Sequence, residues 1–233
     1  MDHREVQDRL RELANPESAA FLQRFFKTGP GQYGEGDIFL GLRVPQIRKI
    51  AGEFRLLPLT EVNRLLQSKA HEDRLAALVI LVGQFERGTP AARKQIFELY
   101  LGSTAHINNW DLVDVSAPQI VGGYLADKSR RPLYRLARSA SLWERRISIL
   151  ATLAFIRQQD FDDTLRLAEL LLADREDLIH KATGWMLREV GKRDQDALEG
   201  FLDRHYQEMP RTMLRYAIER LPEPERRLYM ARK

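Results

Sequence analysis

The chain has 233 residues, of which 44% are hydrophobic and 30% charged, proportions typical of a folded globular protein with an ample core. It contains no cysteine, which excludes disulfides, thiolate metal sites and cysteine nucleophiles. The formal net charge of +4 is a mild excess that does not establish nucleic-acid binding by itself. The first residues, MDHREVQDRLREL, are charged, and the longest apolar runs are too short to span a bilayer. We therefore expect a cytoplasmic protein with no membrane partner.

Helix-start signals recur along the chain, and no segment shows the alternation of a strand. Residues 1–28 predict two helices that form an N-terminal cap. Residues 29–43, GPGQYGEGDIFLGLR, predict a loop, because glycine disfavours a helix by roughly 1 kcal/mol per residue. This loop lacks the GxxxxGK pattern of a phosphate-binding P-loop. Later helix starts are predicted at Pro45, Thr60, Thr89, Asp160 and Asp194.

A near-constant period runs through the chain after the loop. Its members are Arg74, Trp110, Arg146, Lys181 and Arg215, spaced 36, 36, 35 and 34 residues apart. All but Trp110 are basic, and the basic ones open apolar runs such as LAALVIL and ISILATL. Such a period predicts antiparallel HEAT-like helix pairs stacked into a solenoid, with equivalent residues in a row along one surface. That row should be positively charged and interrupted at its centre by Trp110.

The segment Asn108–Asp114, NNWDLVD, carries the most specific signal. Trp110 and Asp114 are four residues apart, so on a helix they share a face. Lys181 and Trp185 repeat this spacing further along. Arg146 falls in the intervening repeat, and stacking in order should bring these residues near one another.

A carboxylate within a cationic row has a specific chemical use. Arginine and lysine bind phosphates, and indoles stack on bases or pack against a sugar. A carboxylate repels phosphate, but it stabilises the cationic sugar of glycosidic cleavage and orients a water. A purine alkylated at N3 or N7 already carries the positive charge that activates it as a leaving group. One carboxylate is then sufficient, without a general acid.

Each of these residues, taken alone, has a simpler structural explanation. Trp110 and Trp185 would be core residues, and Asp114 could hydrogen-bond the start of a helix at Pro118. Arg146 would be a solvated or snorkelling side chain. The histidines show no ligand spacing, so we expect neither a metal nor a cofactor. Only the shared phase of these residues in the repeat favours a site.

The motifs resemble those of a known family. FLGLRVPQIRK, NNWDLVD, LWERRISIL and IHKATGWMLREVGK are similar to segments of the HEAT-like-repeat DNA alkylation repair enzymes, the AlkD-type alkylpurine DNA glycosylases. The resemblance extends over essentially the whole chain. It implies an all-α, right-handed superhelical solenoid in one domain, 1–233, with the cap and loop in 1–43 and the repeats in 44–233. The repeats would form a basic concave face that binds DNA.

The implied activity is metal-free hydrolysis of the N-glycosidic bond of cationic N3- and N7-alkylated purines in duplex DNA, leaving an abasic site. The tryptophans would contact the deoxyribose while the lesion stays stacked. The resemblance implies Asp114, Trp110, Trp185 and Arg146 as catalytic residues. Those expected to bind DNA are Arg48, Arg74, Lys181, Arg188, Lys192 and Arg215. Phe25 stands where the family has a tyrosine, and Phe25 and Tyr33 are the candidates for contact with the lesion.

Two rival hypotheses remain. A non-catalytic protein that binds DNA structures could use the same scaffold, although Trp110 and Asp114 argue against it. A protein–protein scaffold is the usual role of HEAT-like solenoids, but it gives no reason for a central Trp–Asp pair. For the glycosylase we expect a monomer, associated with the nucleoid through its DNA partner.

Overall fold

The computed structural model describes residues 1–231 and contains no β-strand within them. The one pairing of extended backbone in this range is an isolated parallel bridge between Ile38 and Ala70. The all-helical prediction is therefore confirmed. The chain divides into two compact units, Met1–Ile120 and Val121–Lys233. The superhelical arrangement and the single domain stay predictions.

The first unit begins with the two predicted cap helices and the predicted loop. Its helices are α1 (His3–Arg11), α2 (Pro16–Phe25), α3 (Val44–Glu53), α4 (Leu59–Leu66), α5 (His71–Arg87), α6 (Pro90–Gly102) and α7 (Trp110–Asp114). A 3-10 turn, Thr104–His106, precedes α7, and a π-helical turn, Pro118–Gly122, follows it. Helix α5 packs against α3 and α4, and α1 packs against the same three helices.

Side-chain caps explain where several helices begin. Thr89 accepts a hydrogen bond from the backbone N–H of Ala92 at the start of α6, as its position predicted. Pro45 lies in the first turn of α3, where proline has no N–H to leave unpaired. The predicted cap at Thr60 is wrong, because α4 already begins at Leu59 after Pro58, without a side-chain cap.

A buried carboxylate fixes the end of the glycine-rich loop. Glu72, only 1% exposed, accepts hydrogen bonds from the backbone N–H groups of Leu40, Gly41 and Leu42, at 2.9, 2.8 and 3.2 Å. Gly41 has a φ of +90°, and a Cβ there would lie 2.1 Å from the carbonyl oxygen of Asn15. Glycine is required at this position both for the backbone conformation and for the space.

The second unit is also helical. Its helices are α8 (Gly123–Leu125), α9 (Arg131–Leu136), α10 (Leu142–Ala151), α11 (Leu153–Ile156), α12 (Asp162–Leu170), α13 (Asp177–Gly191), α14 (Gln195–His205), α15 (Arg211–Ala217) and α16 (Glu223–Ala231). Asp194 caps α14 through the N–H of Ala197, as predicted. The predicted cap at Asp160 is wrong: the N-cap of α12 is Phe161, and Asp160 instead forms a 2.7 Å ion pair with Arg130.

Helix α13 is the centre of the second unit. It packs against α10, α14 and α15, and a core that includes Leu187, Phe201 and Met213 lies among the helices of this unit. The approach of α15 is close because α13 carries Gly184. A Cβ on Gly184 would lie 2.4 Å from the carbonyl oxygen of Met213 and 2.5 Å from the Cβ of Tyr216.

Within residues 1–231, no helix is both long enough and apolar enough to cross a bilayer.

Gly184→Ala should destabilise the protein despite the better helix propensity of alanine. Backbone atoms of α15 cannot move aside cheaply, so we expect a loss of about 1–3 kcal/mol, measured by urea unfolding. Gly52→Ala is the matched control. Gly52 lies in α3, and a Cβ added to it would meet no atom within 4 Å, so alanine should stabilise by up to about 1 kcal/mol. Equal stabilisation by both substitutions would contradict the close approach.

Candidate functional site

The Trp–Asp pair occupies the two ends of α7. This helix has only five residues, Trp110–Asp114, and is far too short to be stable without tertiary contacts. Its N-cap is Asn109, fully buried, whose side-chain oxygen accepts a 2.8 Å hydrogen bond from the N–H of Trp110. Leu112 and Val113 are buried, whereas Trp110 and Asp114 are partly exposed. The helix therefore points its apolar side into the core and keeps both predicted site residues accessible.

An aromatic cluster holds the indole of Trp110. The ring of Phe26 is stacked on it, with centroids 5.1 Å apart and planes 16° apart. Phe25 makes an edge contact with the same indole at 6.2 Å and 68°. Phe26 is buried, while Phe25 is 54% exposed. The ring of Trp110 is thus fixed from the core side and bordered by an exposed aromatic side chain.

Both residues predicted to contact a lesion lie near one another. The hydroxyl of Tyr33 donates to the carbonyl oxygen of Phe25 at 3.5 Å, and the ammonium of Lys27 lies 5.9 Å from the centre of the Tyr33 ring. Phe25 also stacks on the exposed Phe21, at 6.2 Å. The structure brings Phe25 and Trp110 together, whereas the role of each toward DNA stays a prediction.

The negative charge of Asp114 affects a buried side chain, Tyr100. Tyr100 is fully buried and its hydroxyl is 2.9 Å from Oγ of Ser116. Burial is the main reason why the pKa of Tyr100 is raised, the bond to Ser116 acts in the opposite direction, and the negative charge of Asp114 raises the pKa further. The carboxylate therefore lies close to a low-dielectric region, where its field is weakly screened.

A buried histidine joins α7 to the glycine-rich loop. His71, the first residue of α5, is 2% exposed. Its Nε2 lies 2.8 Å from Oδ2 of Asp111, and its Nδ1 lies 3.0 Å from Oδ2 of Asp37. The side-chain amide of Asn109 also donates to Oδ2 of Asp37, at 3.3 Å. The imidazole thus lies between two carboxylates from two different segments.

The pKa values of this network follow from its contacts. Burial and the charge of Arg74 would lower the pKa of His71, but the hydrogen bond and charge of Asp111 and the hydrogen bond of Asp37 raise it to about 9. Burial alone would raise the pKa of Asp37, but His71 and Arg74 lower it below its usual value. The histidine is therefore protonated near neutral pH and donates from both nitrogens.

Arg74 belongs to this buried network and not to an exposed basic surface. Its side chain is 5% exposed and pairs with Oδ1 of Asp37 at 2.5 Å. The other hydrogen bonds of its guanidinium go to the carbonyl oxygens of Ser68 and Lys69, at 3.0 and 3.2 Å. The expectation that Arg74 presents its charge to DNA is therefore corrected. The sequence period concerned only the position of Arg74 along the chain, whereas Asp37, 37 residues earlier, determines where its side chain lies.

In the second unit, Trp185 lies on α13 beside a carboxylate that the sequence pattern did not single out. Its indole N–H donates to Oε1 of Glu189 at 3.3 Å. Glu189 also pairs with Lys192 at 2.5 Å and Arg193 at 3.2 Å. Burial would raise the pKa of Glu189, but these two cations and the indole lower it. Lys192, predicted to bind DNA, is exposed on the same helix end and pairs with this carboxylate.

The remaining predicted residues differ in exposure. Arg146 is 5% exposed and donates to the carbonyl oxygen of Leu178 at 2.6 Å, so it too departs from the expected exposed row; its role toward a phosphate stays a prediction. Other predicted cations lie at or near the surface: Arg48 and Arg215 are exposed, Lys181 pairs with Asp177 at 2.8 Å, and Arg188 pairs with Glu219.

The sequence did not predict the residues that hold α7 in place, namely His71, Asp37 and Asp111. Asp111 lies within the NNWDLVD motif but off the face that Trp110 and Asp114 share, so spacing did not select it. His71 lacked the spacing of a metal ligand, and Asp37 lies in the predicted loop. The available signal was a run of four polar residues, His71–Arg74, directly before the apolar run Leu75–Val82. In residues 1–231 no group of three histidine or acidic side chains is arranged to hold a metal ion.

Comparisons with known proteins place the chain in a family. A solved structure described as a predicted DNA alkylation repair enzyme from Enterococcus faecalis is similar, with a TM-score of 0.70, 18% identity, and coverage of 90% of this chain and 97% of that one. At this identity the likeness shows the fold alone. The search of curated proteins yielded no significant match. The sequence model of the family described as DNA alkylation repair enzyme matches residues 6–221. The chain therefore belongs to the DNA alkylation repair enzyme family.

Proposed function

We propose that the protein is a monofunctional DNA glycosylase that hydrolyses the N-glycosidic bond of cationic N3- and N7-alkylated purines in duplex DNA. The observation that carries this proposal is the Trp110–Asp114 pair on α7, partly exposed and held on a buried network. Family membership supports a role in the repair of alkylated DNA. The finer claim, cleavage of the glycosidic bond without a metal or cofactor, rests on the chemistry of the pair.

Asp114 would act on the sugar. In the proposed step the bond between C1′ and the purine nitrogen breaks, and the base leaves with the bonding electrons, which neutralise its positive charge. The carboxylate stabilises the oxocarbenium ion that forms. A water molecule held by Asp114 then adds to C1′ and gives its proton to the carboxylate or to solvent. The products are the free base and an abasic site.

Trp110 would contact the deoxyribose of the damaged nucleotide. Its indole is fixed by Phe26 on one side, so little conformational freedom is lost when a sugar packs on the accessible part. Phe25 extends this aromatic surface toward solvent and would contact the lesion, as would Tyr33, whose hydroxyl donates to the carbonyl oxygen of Phe25. A stationary aromatic surface suits a lesion that stays stacked in the duplex.

The other residues predicted from the sequence keep their predicted roles in this proposal. Trp185 is assigned a sugar contact and Arg146 a phosphate contact. Arg48 of the first unit, with Lys181, Arg188, Lys192 and Arg215 of the second, are the cations proposed to bind the DNA backbone. Arg74 is removed from this set because its guanidinium is buried against Asp37.

Asp114→Asn should abolish base excision without weakening the binding of duplex DNA. Loss of one charge-stabilising group typically slows a reaction by about a hundredfold to a thousandfold. Affinity for duplex DNA should be equal or higher, because a negative charge is lost. The measurement is release of free base from duplex DNA with a single N7-methylguanine under single-turnover conditions. Asp8→Asn, at an exposed position of α1, is the matched control and should match the wild type.

The same assay separates the proposal from its rivals. Full excision by Asp114→Asn would contradict the role of the carboxylate. No base release by the wild type, with tight binding to branched or distorted DNA, would establish the non-catalytic DNA-structure binder. Failure to bind any DNA would favour the protein–protein scaffold.

Phe25→Ala should lower the rate of excision without unfolding the protein, because its side chain is 54% exposed. Loss of one stacking partner is worth about 1–3 kcal/mol, so we expect roughly a tenfold effect on single-turnover excision. Phe21→Ala is the matched control, because Phe21 is a phenylalanine of the same helix, 58% exposed, that stacks on Phe25. Equal effects of the two substitutions would contradict a specific role for Phe25.

DNA affinity should fall steeply with salt, because phosphate contacts release counterions. Replacing a lysine or arginine that binds a phosphate reduces the slope of log K against log[salt] by about one. We expect this for Arg48→Gln, measured by fluorescence anisotropy over a salt series. Arg64→Gln is the control, since Arg64 is exposed but paired with Glu61 at 2.6 Å. A salt-independent affinity would contradict the DNA proposal.

A further inference from the structure

The proposed reaction makes no use of His71, although this residue has a highly constrained side chain near α7. It is buried in the first unit and lies between a carboxylate of the loop, Asp37, and a carboxylate of α7, Asp111, at 3.0 and 2.8 Å. Asp111 directly follows Trp110, and its side chain is 13% exposed. The contact therefore joins a fixed point on α5 to the first turn of the helix that carries Trp110 and Asp114.

A second route from His71 to Trp110 passes through aromatic rings. The imidazole is stacked on Phe39, with centroids 4.4 Å apart, and contacts Phe26 at 5.2 Å. Phe26 in turn is stacked on Trp110 at 5.1 Å. Displacement of the imidazole would therefore disturb Phe26, the ring on which the Trp110 indole is stacked, as well as the hydrogen bond to the Asp111 side chain.

We propose that His71 is a positioning residue, which as an imidazolium bridging Asp37 and Asp111 fixes α7 and, through Phe26, the plane of the Trp110 indole. It touches neither DNA nor the reacting atoms. The consequence for catalysis rests on the proposed function of Trp110 and Asp114, whereas the structural consequence does not.

The geometry favours the charged form of the ring. Each ring nitrogen lies within hydrogen-bond distance of a carboxylate oxygen, and only the imidazolium donates from both nitrogens. A neutral ring would turn a lone pair toward one of the two carboxylates. The bond to Asp111 would then weaken, either by loss of its donor or by loss of the positive charge that strengthens it, and α7 would be held less firmly.

The charged groups that face His71 are Asp111 from α7, Asp37 from the loop and Arg74 from α5. The two carboxylates favour the imidazolium and the guanidinium opposes it, with a resulting pKa of about 9. Since this pKa lies above the ordinary 6.5, the stabilisation is complete below about pH 6.5 and is lost as the pH rises through about 9. The anchor of α7 should therefore weaken at alkaline pH.

The test compares three substitutions in the full chain. His71→Gln removes the cation and one donor. Asp111→Asn keeps a side chain of the same size on α7 but removes the charge. His3→Gln is the matched control, because Nδ1 of His3 lies 2.6 Å from Oε2 of Glu61 in another histidine–carboxylate pair of this unit. Circular dichroism identifies the variants that fold at the assay temperature.

The structural readout is the indole N–H resonance of Trp110, assigned by its loss in Trp110→Phe. We expect it to move in His71→Gln and in Asp111→Asn but not in His3→Gln. In the wild type it should also move with pH, in step with the imidazole resonance of His71 and with a midpoint near pH 9. If His71→Gln fails to fold, Asp111→Asn and the wild-type titration provide the same comparison.

The catalytic readout is base release at neutral pH, separated into kcat and KM. A displacement of about 1 Å at a reacting group can cost about a hundredfold in rate. We therefore expect His71→Gln to lower kcat by up to about this factor, with KM unchanged. A purely structural role predicts full kcat wherever the variant is folded.

The outcomes are distinct. An unmoved Trp110 resonance in both variants overturns the inference, and so does an equal response in His3→Gln. Movement of the resonance with unchanged kcat limits His71 to a structural role and also overturns it. If the wild type releases no base but the resonance moves as expected, the proposed function fails while the positioning of α7 by His71 stands.

Discussion

The first unit depends on the burial of four consecutive polar side chains at the start of α5. His71, Glu72, Asp73 and Arg74 are all buried, although burying such groups is expensive unless they are paired. Each residue is therefore paired. His71 and Arg74 both bind Asp37 of the loop, and His71 also binds Asp111 of α7. Glu72 binds the backbone of 40–42, and Asp73 binds Gln7 of α1 and Ser68. The need to satisfy these groups fixes the cap, the loop and α7 relative to α5.

This constraint explains how a five-residue helix can hold two site residues. Helices of that length do not form alone, and a functional group is positioned well only when its own surroundings are rigid. Asn109 and Asp111 supply that rigidity, since both reach the same network through Asp37 and His71. The glycine-rich loop, for which the sequence predicted no more than an irregular segment, contributes Asp37 and is thus part of the support.

The starts of several helices could be predicted because they depend on neighbouring residues alone. Thr89 and Asp194 cap helices because a cap needs only a side-chain oxygen and the backbone N–H three residues later. The same rules fail at Thr60 and Asp160, where a proline and an ion pair intervene. The pairing of Trp110 with Asp114 on one helix could be predicted from spacing. The burial of Arg74 could not, because its partner Asp37 is remote in sequence and lies in a segment without periodicity.

Spacing alone also fails to identify a catalytic carboxylate, as two pairs of the same spacing show. Trp185 and Glu189 repeat the four-residue separation of Trp110 and Asp114. Glu189 accepts from the indole of Trp185 and from Lys192 and Arg193. The negative charge of Asp114 instead raises the pKa of the buried phenol of Tyr100. A carboxylate at the border of a low-dielectric region suits the developing cationic sugar of the proposed reaction. The two pairs therefore share a spacing but differ in their surroundings, and it is the surroundings of the first pair that the proposed role of Asp114 requires.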